Sequence, residues 1–144
     1  MNYGQRLGEP KGLIGPVSLG GSPLRGWDLT PVPLGEVGWI DARLTHEDHH
    51  AARHAAPVFL TGDFDLPEGE VTDLALSTAG WGKGVAWING FNLGRYWSRG
   101  PQRTLFVPAP VLKPRANRLL LLELTAPSHV ARFVPEIDLG HEED

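Results

Sequence analysis

With 144 residues the chain has room for one packed domain and a fragment of another, since one core serves roughly 100 to 200 residues; an α/β barrel, at about 250 residues, does not fit. Glycine (18) and proline (13) are spread along the chain and 41% of residues are hydrophobic, which excludes wholesale disorder and predicts short strands joined by tight turns. A formal charge of −4 makes nucleic acid an unfavourable partner, and the lack of cysteine excludes disulfides and thiolate metal sites.

The N-terminal segment Met1 to Arg6 is followed by no apolar run of about 7 to 15 residues, so no signal peptide is expected and a cytoplasmic location is. Nothing approaches the roughly 18 consecutive apolar residues of a membrane span. Residues Ile14 to Leu19 lead into Gly20, Gly21, Ser22 and Pro23, a turn composition that predicts a hairpin. Its return limb passes Leu24 and Trp27 and ends at Pro31-Val32-Pro33-Leu34-Gly35, where missing amide donors mark a boundary or linker.

From Glu36 to Ala56 the chain is polar and rich in histidine and alanine, with a helical turn or two expected between Thr45 and Ala55 before Pro57 stops it. Strands follow around Val58, Leu60 and Phe64, and around Val71, Leu74 and Leu76, separated by a Pro67-Glu68-Gly69 turn. Val85 to Ile88 and Phe91 to Tyr96 flank Asn89-Gly90, the preferred pair for a type I′ hairpin, and Gly94 in the return limb predicts a bulge or a close backbone approach. A short strand is expected at Thr104 to Val107, and Arg118 to Thr125, with four consecutive leucines, reads as a strand buried on both faces or central in its sheet. Strands at this spacing predict an all-β sandwich or jelly roll, ending in an acidic tail at residues 141–144.

Three sets of side chains invite a chemical reading. His46-Glu47-Asp48-His49-His50, with His54, matches the letters of a zinc-protease signature, but polar flanks and the nearby Pro57 leave no long helix to carry it. No metal site is expected there, and His46, His50 and His54 are adventitious ligands at most. The turn acids Asp63, Asp65, Glu68, Glu70 and Asp73 read as solvated, not as the rigid carboxyl pair that a glycosidase needs. Glu123 lies in an apolar strand and needs a partner, either a cation such as Arg95 or Arg118 or backbone donors. Trp81, Trp87 and Trp97 cluster around one hairpin. An exposed indole among them, flanked by Asn92, Arg95 or Gln102, would stack on a pyranose; the alternative is that they fill the core.

Taken together, Trp81-Gly82-Lys83-Gly84, Trp87-Ile88-Asn89-Gly90, Asn92-Leu93-Gly94-Arg95-Tyr96-Trp97, Gly100-Pro101-Gln102, Thr104 to Pro108 and Leu121-Leu122-Glu123-Leu124 resemble, in order and spacing, the last domain of family-35 β-galactosidases. Asn2-Tyr3-Gly4, Lys11-Gly12-Leu13, Val17-Ser18-Leu19 and Gly26-Trp27 resemble the end of the β-domain before it, with Gly35 to Ala56 the weakest stretch. The resemblance implies a galactose-binding-like jelly roll at residues 57–140, a remnant of the preceding domain at 1–35, and a connection at 36–56. It also implies structural roles for Lys83, Asn89, Gly90, Gly94, Tyr96 and Glu123. Trp81, Asn92, Arg95, Trp97 and Gln102 are the candidate sugar-contacting residues, and no cofactor is expected. The barrel with its two catalytic glutamates has no counterpart here, so the resemblance implies a non-catalytic accessory module that packs on a barrel, in cis or as a separate chain. A lectin-like module, or a truncated or split galactosidase product that needs an upstream chain, are the alternatives.

Overall fold

The computed structural model describes residues 8–10, 12–43, 56–125, 127–128 and 130–140. The expected helical turn at 45–55, with its histidines, lies outside the described residues, as does the acidic tail. The chain divides into two units, Met1–Val32 and Pro33–Asp144. In the first, β1 (Ser18–Leu19) pairs with β2 (Ser22–Pro23) in antiparallel register across Gly20-Gly21. This is the expected hairpin, shorter than its apolar pattern suggests. Leu13, Ile14, Leu19, Trp27 and Leu29 are exposed around it.

The second unit is a β-sandwich. Strands β3 (Val58–Phe64), β5 (Lys83–Ile88), β6 (Phe91–Trp97) and β8 (Asn117–Glu123) form a four-stranded antiparallel sheet in the order β3-β8-β5-β6. Strands β4 (Leu74–Ser77), β7 (Thr104–Val107) and β9 (Arg132–Val134) form a second sheet in the order β7-β4-β9. Alternation along each strand sends one set of side chains between the sheets. Leu76 and Leu105 from one sheet meet Ala86, Ile88, Tyr96, Leu119 and Leu121 from the other, with Trp81 and Leu112 closing the ends.

The run of leucines resolves into two faces. Leu119 and Leu121 enter the core between the sheets, whereas Leu120 and Leu122 join a cluster on the outer face with Trp87, Phe59 and Val85. Ile40, from a single helical turn α1 (Gly38–Asp41), and Val37, its N-cap residue, join that cluster and are 3% and 4% exposed. The segment read as a polar connection therefore supplies two buried apolar side chains. Trp87 is fully buried, and its indole N–H has no hydrogen-bond partner among the described residues.

At the turn, Asn89 and Gly90 both take positive φ, 51° and 84°, as a type I′ hairpin requires. The Asn89 side chain also ties the hairpin to the segment that precedes β8. Its Nδ2 donates to the Val111 carbonyl at 2.7 Å and to Asn117 Oδ1 at 3.0 Å, and its Oδ1 accepts from the Arg118 amide. Asn117, fully buried, closes the loop by bonding both the amide and the carbonyl of Lys113.

Candidate functional site

The bulge expected at Gly94 decides which side chains of β6 face the core. Ile88 pairs with Phe91 and Trp87 with Asn92, but Ala86 pairs with Gly94, so Leu93 is the extra residue and Gly94 takes φ 108°. Asn92 Oδ1 accepts from the Gly94 amide at 2.7 Å and holds the bulge in place. An unbroken register would set Arg95 opposite Gly84; the shift sets Tyr96 there instead. Tyr96 consequently points inward, and Arg95 and Trp97 share the outer face of the sheet.

Glu123 is fully buried below this pair. Its carboxylate accepts from the amides of Gly82 and Lys83 at 3.0 Å, from the Thr125 amide at 2.8 Å, from the Thr125 hydroxyl, and from the Tyr96 hydroxyl at 3.1 Å. Backbone donors therefore hold the charge, which was one of the two expected solutions. The cations proposed as partners are placed elsewhere: Arg95 is exposed on the outer face, and Arg118 Nη1 donates to both carboxylate oxygens of Asp63, at 3.0 and 2.9 Å. A carboxylate that accepts from five donors of the surrounding backbone and side chains braces the fold.

The Tyr96 phenol is pushed well above its ordinary value near 10, first by burial, then by the Glu123 charge and by the hydrogen bond it donates to that carboxylate. Because the folded state holds this proton more tightly, its contribution to stability is complete below pH ~10 and declines as pH rises above that value. Wild type and Tyr96→Phe are expected to show the same phenolate absorbance up to about pH 11 while folded. Extra, reversible phenolate signal from the wild type in that range would contradict the buried hydrogen bond.

The remaining sequence candidates separate. Trp81 is 7% exposed in the core and offers no face to a sugar, because it plugs the end of the sandwich. Gln102 Nε2 donates to the Thr104 carbonyl at 2.7 Å, which fixes the entry to β7. The acids Asp65 and Asp73 accept from the amides of Ala116 and Ala109 and lock turns. Trp97 is the one member of the hairpin's tryptophan cluster that reaches solvent, at 37% exposure. Lys83 Nζ lies 4.8 Å from the centre of its ring and Arg99 Cζ 5.5 Å.

Sequence reasoning did not foresee a cleft of about 510 Å3 at the three-stranded sheet, lined by Ser77, Arg103, Thr104, Glu136 and Asp138 among others. The segment after β9 forms one wall. Thr104 and Asp138 hold it there through reciprocal bonds, Thr104 Oγ1 to the Asp138 carbonyl at 3.1 Å and the Asp138 amide to Thr104 Oγ1 at 2.8 Å. Glu136 and Asp138 are both exposed and sit on an irregular segment. That is not the enclosed, rigid pairing that glycoside hydrolysis demands.

Comparison with known proteins places these features in context. Residues 57–117 match the family described as "Beta-galactosidase, galactose-binding domain". Beta-galactosidase 17 of Arabidopsis thaliana is 39% identical over 152 residues, covering 96% of this chain and 22% of the relative. The β-galactosidase of Felis catus is 40% identical, covering 86% of this chain and 21% of the relative, and that of Homo sapiens is 39% identical, covering 86% and 20%. The chain thus spans about a fifth of the length of the curated relatives it matches.

Proposed function

The chain belongs to the β-galactosidase galactose-binding domain family, and on that premise we propose that it is a non-catalytic accessory module that packs against and stabilises a β-galactosidase catalytic barrel. The reaction served is removal of terminal β-linked galactose, carried out by residues outside this chain. One observation carries the reading: much of the family signature is buried in the fold. Trp81 and Tyr96 pack in the core between the sheets, Trp87 is buried in the outer-face cluster, and the one fully buried carboxylate among the described residues, Glu123, accepts hydrogen bonds from the fold's own donors. A signature spent on packing specifies a scaffold, not an active site.

The first unit supports the same reading. A two-stranded hairpin is marginal alone, and this one exposes Leu13, Ile14, Leu19, Trp27 and Leu29 to solvent. Such a surface suits the edge of a larger β-domain in the remainder of a galactosidase.

Purified chain is expected to show no hydrolysis of a chromogenic β-galactoside above a blank prepared from a host lacking its own enzyme. Deleting the matched fifth of the Arabidopsis relative is expected to abolish its turnover, and inserting this chain in its place to restore it. Turnover by the chain alone, or a chimera as inactive as the deletion, would overturn the proposal.

A further inference from the structure

We propose that Trp97 and the cations around it form a site for a pyranose that carries a negative charge, as carboxylate or sulfate. The positions follow from the register. Lys83 is the cross-strand partner of Trp97, Arg95 lies two residues back on the same face, and Arg99 follows two residues beyond the strand end. Lys83 and Arg99 both lie over the indole, at 4.8 and 5.5 Å from its centre. Among the described residues no carboxylate pairs with Lys83, Arg95 or Arg99. In a chain with seventeen acidic and thirteen basic residues, two cations over a single partly exposed indole, with a third on the same strand face, form a local positive field that the composition opposes.

The chemistry selects a ligand with two parts. An indole face takes the C–H face of a sugar ring, and a guanidinium takes a carboxylate or sulfate through two parallel hydrogen bonds, with the ammonium as a second point charge. For a ring to reach the indole, a cation now lying over it must swing aside. An acidic sugar compensates by offering that cation a full negative charge, a stronger partner than an aromatic quadrupole at an exposed site. A neutral galactoside displaces the same cation and offers it nothing comparable. The site therefore discriminates by charge, a property independent of any barrel.

The test uses the full chain. Indole fluorescence is titrated at low salt with galacturonate, galactose 6-sulfate, galactose, lactose, acetate and sulfate. Saturable binding is expected for galacturonate or galactose 6-sulfate, at least about tenfold tighter than for galactose or lactose. Whichever of the two binds identifies the anionic group, and binding should weaken at about 0.5 M salt. Lys83→Gln and Arg99→Gln should each weaken the acidic sugar about tenfold without altering the melting midpoint, and Trp97→Ala should remove the signal. Equal response to neutral and acidic sugars would overturn the proposal. So would a response to acetate or sulfate as strong as to the acidic sugars, or no saturable response at all. None of these results bears on the accessory role, because the chain is tested alone.

Discussion

Replacing Gly84 with alanine is expected to destabilise the sandwich by about 3 kcal/mol or more, a large share of the total for a domain of this size. A Cβ built at Gly84 would overlap the Leu122 carbonyl oxygen and meet the Tyr96 hydroxyl. The first of these is backbone of the central strand and cannot yield without breaking its pairing. The second can yield only by withdrawing the hydroxyl from Glu123, which removes a buried hydrogen bond to that carboxylate. A urea midpoint that falls sharply with an unchanged slope would report this loss, whereas a shift within about 0.5 kcal/mol would show that the contact is loose.

Glu123→Ala is expected to cost about 4 kcal/mol, by orphaning the amides of Gly82, Lys83 and Thr125 and the Tyr96 hydroxyl together. Glu123→Gln keeps the shape but turns an amide NH2 toward donors, and should cost about half as much. The comparison that gives these values meaning is Asp63→Asn. It breaks the Arg118 ion pair, whose side chains are 31% and 62% exposed, and should change stability by less than about 1 kcal/mol. Equal effects at the two acids, read by urea denaturation at neutral pH, would mean that the buried carboxylate is not the brace described.

Hydropathy and turn chemistry made much of the sandwich readable. Thr104 to Val107 is bounded by prolines and forms the strand that they imply, Asn89-Gly90 makes its hairpin, and the four leucines occupy a strand buried on both faces. What escaped has a common cause: it depends on partners distant along the chain. Val37 and Ile40 are two apolar residues at one helical turn, too few for a period to emerge. Arg132–Val134 is only three residues long and exists because β4 offers it an edge. Asn117 is polar at the head of an apolar strand, and its burial rests on bonds to Lys113 and Asn89 that no hydropathy scale registers.

The tryptophans show the limit most clearly. Trp81 and Trp97 look alike as flanks of one hairpin, yet the first is core and the second surface. The one-residue slip at Leu93 sets which β6 side chains turn inward. The glycine that signals the bulge is visible in the sequence; the direction in which it turns the next three side chains is not.

The position of β8 also governs when the molecule can form. Asp63 on β3 meets Arg118 on β8 55 positions later, and among the described residues β3 has no other neighbour in its sheet. During synthesis β3 must therefore wait beside the ribosome, while the Asn89-Gly90 hairpin closes early from adjacent residues. Until Glu123 has emerged, that hairpin lacks the carboxylate that caps the amides of Gly82 and Lys83. The last central strand delivers both the sheet's closure and its brace, so a nascent chain halted before residue 117 would leave Val58–Phe64 as an unpaired edge for chaperones or aggregation to capture.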